Sequence, residues 1–181
     1  MTRALLLGSG ASFQRRLRAP GDPDGASWDH YGELVRLDWN PAHRPDVVHE
    51  LGKSPWPFED NFFDRVDAYE ILEHLHSQGD FLGFFHDFSE AWRILKPGGI
   101  FGATVPSWQS QGAWGDPSHK RVITKMSLLF LDQTEYVRQV GKTTMSDFRF
   151  CWNGDFETVF AEENSHTLGF ILRSHKPARI Q

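Results

Sequence analysis

The sequence predicts an α/β fold, with a mostly parallel sheet, helices on both faces and an antiparallel hairpin strand at the C-terminal end. Short apolar runs alternate with segments of helical periodicity, which is typical of parallel strands joined by crossover helices. The 181 residues, of which 39% are hydrophobic and 24% charged, suit one domain with a single core. The last two apolar runs are separated by only a few turn-forming residues, which indicates a hairpin.

Five short apolar runs are expected to form the parallel strands. The first is followed by the turn Gly8-Ser9-Gly10, as expected where a buried strand ends in a loop. The second ends at Asp38, just before Asn40-Pro41 interrupts the pattern. The predicted strands cover residues 4–7, 34–37, 46–49, 62–69 and 100–105.

The clearest helical pattern lies between Asp80 and Leu95. Its apolar residues recur at spacings of three and four, which builds one apolar stripe, and Asp80 can cap the first turn. The turn Lys96-Pro97-Gly98-Gly99 should end this helix. Weaker patterns predict one or two helical turns at 13–18, an exposed loop at 19–30, short helices at 125–131 and 133–140, and hairpin strands at 156–162 and 168–174.

Composition argues against several classes of protein. The net charge of −5 gives no strong electrostatic footprint for nucleic acid, and no apolar run approaches the roughly 20 residues of a membrane helix. Met1 does not lead into a signal peptide and Cys151 is a single cysteine, so we expect a cytoplasmic protein without internal disulfides. Aromatic residues make up 14% of the chain and either fill the core or line a flat pocket.

The first two predicted strands end in residues that suit a nucleoside-containing ligand. Gly8 and Gly10 would let backbone amides approach a ligand closely, although the full dinucleotide fingerprint needs a third glycine where this chain has Phe13. Asp38 follows the second strand, where a carboxylate can accept hydrogen bonds from both hydroxyls of a ribose. Together these residues predict a ligand at the topological switch point of the sheet.

Residues 4 to 106 resemble the class I S-adenosylmethionine-dependent methyltransferases, in their small type 11 branch. The resemblance rests most on Pro55-Trp56-Pro57-Phe58-Glu59-Asp60, on Glu70-Ile71-Leu72-Glu73-His74-Leu75 and on Arg93-Ile94-Leu95-Lys96-Pro97-Gly98-Gly99, in this order and spacing. It implies a Rossmann-like fold and a single methyltransferase domain over 1–181. Residues 1–106 would form the cofactor half, and 107–181 an acceptor-side insert followed by the C-terminal hairpin.

The resemblance also implies a site for S-adenosylmethionine and its product S-adenosylhomocysteine. The glycine turn would pass the amino-acid end of the cofactor, Asp38 would hold the ribose and Trp39 would flank the adenine. Tyr69 and Glu70 would lie beside the transferable methyl group. The implied cofactor residues are Gly8, Ser9, Gly10, Asp38, Trp39, Glu50, Leu51, Tyr69 and Glu70.

Glu70, Glu73 and His74 have the spacing of one helix face, and we expect a helix to start just after the fourth strand. Relatives with a similar arrangement, among quinone-biosynthesis and RNA-end methyltransferases, bind a divalent metal, and His119 could complete such a site. The Leu-Glu-His-Leu segment also occurs in relatives that need no metal. Three roles therefore stay open: a metal site, catalysis by His74, Glu70 and His119 as bases or orienting groups, or a purely structural role.

The stretch 108–121 follows the fifth strand, where the resemblance places acceptor-side residues. The candidates for substrate contact are Trp108, Trp114, Asp116 and His119, although a glycine-rich surface loop with incidental aromatics is the alternative. The basic run Arg15-Arg16-Leu17-Arg18 could hold an anionic acceptor, but a solvated charge run is the preferred interpretation.

The sequence departs from the family at its N-terminal end, where helices that usually cover the cofactor are not expected. We therefore expect 107–155, a second copy of the chain or a partner protein to supply the cover. The resulting hypothesis is an enzyme that methylates a small molecule. The alternative is a cofactor-binding but inactive subunit that works only with a partner. A nicotinamide-dependent oxidoreductase is disfavoured by Phe13, and an amino-methylating DNA enzyme by Tyr69-Glu70-Ile71-Leu72 after the fourth strand.

Overall fold

Seven strands make up the sheet of the computed structural model, which describes residues 2–10, 14–18, 28 and 31–180. The strands are β1 (Arg3–Leu7), β2 (Glu33–Asp38), β3 (Val47–Val48), β4 (Phe63–Tyr69), β5 (Leu95–Pro106), β6 (Phe156–Glu163) and β7 (Thr167–Ser174). Their order across the sheet is β3-β2-β1-β4-β5-β7-β6. Strands β1 to β5 run parallel, whereas β7 is antiparallel to both β5 and β6, so the predicted sheet with its C-terminal hairpin is confirmed.

Helix α1 (Phe81–Ile94) connects β4 to β5 and is the longest helix in the described ranges. Its first turn is capped as predicted, because the Asp80 carboxylate accepts a hydrogen bond from the Gly83 amide at 2.9 Å. Three shorter helices lie between β5 and β6: α2 (Gln111–Gly115), α3 (Lys125–Leu129) and α4 (Gln133–Gln139). Over the described part of the chain, every helix is too short or too polar to cross a membrane.

The segment after β1 differs from its prediction. Residues 14–18 are not helical, so the predicted helical turns at 13–18 are wrong where the segment is described. They lie along β4 instead, where the Leu17 carbonyl accepts a hydrogen bond from the Arg65 guanidinium at 3.0 Å. Arg15 is only 2% exposed, so the expected solvated charge run is wrong at this residue. Apart from Trp28, the loop predicted at 19–30 lies outside the described residues.

The order of the sheet reverses between β1 and β4, and this reversal positions the candidate site. Leu7 at the end of β1 lies in register with Leu37 of β2 on one side and with Ala68 of β4 on the other. The carboxyl ends of these three strands therefore meet at one edge of the sheet. In open α/β sheets such a reversal leaves a crevice for ligands at that edge.

Aromatic rings fill the core beneath α1. The Phe88 ring lies 5.6 Å from that of Phe101 on β5, and Phe101 lies 6.3 Å from Phe156 on β6. Trp152 is fully buried and stacks on Phe156 at 6.2 Å. Burial of such rings is the main hydrophobic contribution here, at about 25 cal/mol per Å² of apolar surface. Core filling thus accounts for much of the high aromatic content.

The opposite face of β4 carries a buried charged network. Arg65 and Asp67 form a two-pronged ion pair, with Nε to Oδ2 at 2.6 Å and a second guanidinium nitrogen to Oδ1 at 3.0 Å. The Tyr69 hydroxyl donates to the same carboxylate at 2.8 Å. On the neighbouring strand a Cβ at Gly102 would lie 2.3 Å from Asp67 Oδ1, so only glycine leaves room for this carboxylate. The network anchors residues 14–18 to the sheet through Leu17.

Candidate functional site

A tight glycine turn follows β1 at the edge where the strands meet. Gly8 and Gly10 have φ angles of 56° and 52°, in the left-handed region that favours glycine. A Cβ at Gly8 would lie 2.5 Å from Ile71 Cγ1, whereas a Cβ at Gly10 would meet nothing within 4 Å. Two constraints therefore favour glycine at position 8: its backbone conformation and the close approach of the segment that follows β4.

Asp38 joins the end of β2 to this glycine turn. The residue is 3% exposed, and its Oδ2 accepts a hydrogen bond from the Gly10 amide at 2.8 Å. Its Oδ1 accepts one from the Asn40 amide at 2.8 Å and lies 3.2 Å from His43 Nδ1. The carboxylate therefore holds two backbone turns together, besides any contact with a ribose.

Some of the predicted cofactor residues line a cleft, whereas others lie outside it. A cleft is lined by Leu6, Leu7, Gly8, Ser9, Arg16 and Tyr69. Trp39 is 68% exposed at the end of β2, and Leu51 is buried. Glu50 is exposed and forms an ion pair with Lys53 at 2.7 Å, which lowers the pKa of the Glu50 carboxyl.

The segment after β4 is not the helix expected from its spacing. Glu70 has a φ of 53° and Ile71 a φ of −133°, so the chain leaves β4 in a bend that no helix can continue. Only Leu72–His74 forms a single 3₁₀ turn. The predicted common helix face of Glu70, Glu73 and His74 is therefore wrong, because a left-handed residue interrupts the helical path.

Long-range contacts nevertheless bring three of the predicted metal and catalytic residues together. The Glu73 carbonyl accepts hydrogen bonds from the Lys120 amide at 2.8 Å and the Arg121 amide at 3.2 Å, which draws His119 alongside. Glu73, His74 and His119 each offer a ligand atom within 4.8 Å of the others, and the two rings lie 4.8 Å apart. We call these three residues the Glu73 cluster; Glu70 is not a member of it.

Burial changes the chemistry of Glu73. Desolvation, together with smaller contributions from the neighbouring carboxylates of Glu70 and Asp116, raises the pKa of the Glu73 carboxyl to about 8. Glu73 Oε2 and His119 Nδ1 are buried without hydrogen-bond partners in the described part of the chain. A buried carboxyl beside a buried imidazole nitrogen suits either a shared proton or a divalent cation, so the residues fit both roles. The sequence predicted Glu73 only as a metal ligand, because the burial that raises the pKa of its carboxyl cannot be predicted from the sequence.

The predicted acceptor-side residues lie along one continuous surface segment. Trp108 and Trp114 are 52% and 69% exposed, and the Trp114 indole donates to the Trp108 carbonyl at 2.8 Å. Asp116 Oδ1 accepts from the Ser118 amide at 2.8 Å, and its Oδ2 lies 3.8 Å from His119 Nε2. His119 thus connects the exposed tryptophans to the Glu73 cluster.

An apolar groove that the sequence did not predict lies beside α1. Its walls come from three separate segments, so no local pattern could reveal it. The Arg121 guanidinium lies 5.2 Å above the Phe84 ring and donates to the Ser77 and Asp80 carbonyls at 2.9 and 2.7 Å. The groove includes Phe81, Phe84, Phe85, Arg121, Phe130 and Phe148.

Comparison with known proteins identifies the class of fold. Over 95% of its length this chain is similar to a SAM-dependent methyltransferase from Archaeoglobus fulgidus, with a TM-score of 0.57, 16% identity and 86% of that chain covered. It is similar over 96% to the N-methyltransferase NodS from Bradyrhizobium japonicum WM9 in complex with S-adenosyl-L-homocysteine, with a TM-score of 0.56, 12% identity and 78% of that chain covered. These similarities define the Rossmann-like fold of the class I methyltransferases.

A sequence match agrees with this class of fold. Residues 28–103 match a family model described as a methyltransferase domain. No curated protein sequence matches the chain. A further structure similar over 96% of the chain is a Haloferax volcanii methyltransferase in complex with the Trm112 methyltransferase activator, with a TM-score of 0.52, 17% identity and 83% of that chain covered.

Proposed function

We propose that this S-adenosylmethionine-dependent methyltransferase methylates a small cytoplasmic molecule. The observation that carries the proposal is the position of the Glu73 cluster. Glu73 and His74 lie in the 3₁₀ turn a few residues after β4, and Ile71, just before this turn, contacts the glycine turn after β1. A group able to take up a proton thus lies next to the crevice in which this fold binds its cofactor.

The cofactor would lie across the glycine turn. The turn from Gly8 to Gly10 would face its amino-acid end, and the exposed Trp39 ring would flank the adenine. The Ser9 amide already donates to the Leu37 carbonyl at 3.2 Å. Tyr69 would contribute its ring alone, since its hydroxyl already donates to Asp67 at 2.8 Å. Asp38 would support the ribose while it holds the turn in place.

The chemistry requires alignment more than acid–base power. A sulfonium methyl group is already activated, so the enzyme must mainly hold nucleophile, methyl carbon and sulfur in line. An acceptor oxygen or nitrogen that carries a proton must lose it, and Glu73, with its pKa raised to about 8, is suited to receive it. His74 and His119 would orient the acceptor. If a divalent metal is bound, Glu73, His74 and His119 would hold it and it would lower the pKa of an acceptor hydroxyl.

The acceptor class follows from charge and exposure. The net charge of −5 disfavours a nucleic-acid acceptor. Trp108 and Trp114 offer exposed flat rings on the same surface segment as His119, which suits a small aromatic or apolar molecule with one reactive heteroatom.

A partner-dependent, inactive subunit is the second candidate. Three tryptophans, Trp39, Trp108 and Trp114, are each more than half exposed on segments that follow strand ends of the cofactor half. The Haloferax volcanii neighbour was solved with an activator protein, which makes such a requirement plausible for this fold. Under this hypothesis the chain binds cofactor but shows no transfer by itself.

Calorimetry with S-adenosylhomocysteine, with NADH as the control ligand, tests the cofactor assignment. We expect micromolar binding of S-adenosylhomocysteine and no binding of NADH. Transfer of a labelled methyl group to a panel of small phenols, amines and carboxylic acids then tests activity. Binding with turnover supports the enzyme, binding without turnover on any acceptor supports the partner-dependent subunit, and binding of NADH alone contradicts both.

A further inference from the structure

A second histidine cluster, separate from the Glu73 cluster, joins two segments of the chain. His76 lies in the loop after β4, and His86 and Asp87 lie on α1. One ligand atom from each residue lies within 4.8 Å of the others. Asp87 is buried, whereas the two imidazoles are half-buried, which leaves a path to solvent.

The distances in this cluster match the spacing of ligands around a tetrahedral zinc ion. His76 Nε2 and His86 Nδ1 lie 3.2 and 3.1 Å from the same oxygen, Asp87 Oδ1. Zinc bonds of about 2.0–2.1 Å at tetrahedral angles place neighbouring ligand atoms about 3.3 Å apart. Two imidazoles and a carboxylate are three such ligands, and a water molecule can complete the tetrahedron.

The remaining ring nitrogens face the partners that zinc-bound histidines usually have. His76 Nδ1 lies 3.6 Å from Asp80 Oδ2, and His86 Nε2 hydrogen-bonds to Ser54 Oγ. A neutral imidazole has one N–H, yet both nitrogens of His76 face carboxylate oxygens. A metal on Nε2 leaves the N–H on Nδ1 for Asp80, in the carboxylate–histidine–metal arrangement that fixes the tautomer of a ligand.

Gly83 gives independent evidence that the position of the His76 ring is maintained. A Cβ at this residue would lie 2.3 Å from His76 Cγ and 2.7 Å from Asp80 Oδ2. Position 83 lies in the first turn of α1, where alanine would favour the helix by about 1 kcal/mol. Glycine at this position is explained by the imidazole that lies against it.

We propose that His76, His86 and Asp87 bind a zinc ion that links the loop after β4 to α1. The carboxylates of Asp80 and Asp87 supply two negative charges, and the imidazoles favour zinc over the oxygen-seeking Mg²⁺. Through Ser54 the site also contacts the loop between β3 and β4. The bound ion stabilises the α1 side of the fold and takes no part in methyl transfer.

Calorimetric titration of the chelator-treated full chain with Zn²⁺ tests the proposal, with Mg²⁺ as the control ion. We expect one zinc per chain, and at least tenfold weaker binding in His76→Ala and in His86→Ala. The variant Gly83→Ala keeps all three ligands and should also bind at least tenfold more weakly, because its methyl group displaces the His76 ring. His166→Ala, at the exposed tip of the hairpin, is the matched control and should bind as the wild type does.

The double variant His74→Ala/His119→Ala separates this site from the Glu73 cluster and should retain the zinc. Circular dichroism of each variant confirms that it is folded. The proposal is overturned if the wild type binds no zinc, if His76→Ala and His86→Ala bind it unchanged, or if only the His74→Ala/His119→Ala variant loses it.

Discussion

The carboxylate of Asp38 accepts a hydrogen bond from the amide of Gly10 at 2.8 Å, so the end of β2 holds the turn that follows β1. Asp38 is nearly fully buried, and its other oxygen is bonded to the Asn40 amide. The residue predicted to bind a ribose is therefore also the residue that shapes the glycine turn. Removal of the Asp38 side chain should therefore weaken cofactor binding in two ways, through the lost ribose contact and through the released glycine turn.

Asp38→Ala should weaken binding of S-adenosylhomocysteine by about 1.5–3 kcal/mol, because charged hydrogen bonds are lost and the turn is released. Calorimetry measures this difference. Asp46→Ala is the matched control, since Asp46 also accepts a hydrogen bond from a backbone amide, that of Arg36 at 2.8 Å, but does not bond to the glycine turn as Asp38 does. Equal affinities for wild type and Asp38→Ala would show that the cofactor is placed wrongly.

Gly8→Ala should destabilise the protein more than Gly10→Ala. Both residues have positive φ angles, so both substitutions carry a similar backbone penalty. Only at Gly8 does the new methyl group collide with Ile71, at 2.5 Å, and such overpacking costs about 1–3 kcal/mol. Urea unfolding of the two variants measures the difference, and Gly8→Ala/Ile71→Ala should recover part of it. Equal losses in both single variants would contradict the contact.

Ionisation of Glu73 should make the wild type less stable as pH rises. Below about pH 4.5 the carboxyl is protonated in both states; above it the unfolded chain loses its proton first, while the folded pKa is raised to about 8. The free energy of unfolding should therefore fall between pH 5 and 8, by at most about 1.4 kcal/mol per pH unit. Urea unfolding in the presence of a chelator measures it, and Glu73→Gln should lack this contribution. Parallel pH profiles of the two proteins would contradict the burial of an ionisable carboxyl.

Asp67→Ala should be far more destabilising than Asp147→Ala, although both aspartates form two-pronged pairs with an arginine two residues away. Arg65–Asp67 is fully buried, and removing one partner strands a buried charge at a cost of about 3–5 kcal/mol. Arg149–Asp147 is exposed at both side chains, with a shortest contact of 2.6 Å, and contributes about 0–1 kcal/mol. Chemical unfolding of the two variants compares them. A similar loss in both would show that burial of the β4 pair has no energetic consequence.

Local patterns sufficed for the sheet and for most helices. The apolar runs that became β1, β2 and β4, the Asp80 cap and the C-terminal hairpin are each encoded within a few residues, through periodicity, capping and turn chemistry. The prediction failed after β4. The spacing of Glu70, Glu73 and His74 is compatible with a helix, but the backbone of Glu70 adopts a left-handed conformation that prevents one. It failed at 14–18 as well, since that segment follows the buried network on β4 and has no strong pattern of its own.

The sequence by itself determined the α/β class, the glycine turn, the acidic end of β2 and the methyltransferase resemblance. These are properties of short segments, in which the residue type alone restricts backbone and chemistry. Only the tertiary structure decided that Glu73 is buried beside His119, that Asp38 holds Gly10, and that His76 meets His86 and Asp87. Each of these depends on contacts between segments that are distant along the chain. Burial and proximity, which set pKa values and create ligand sites, arise only when those segments pack together.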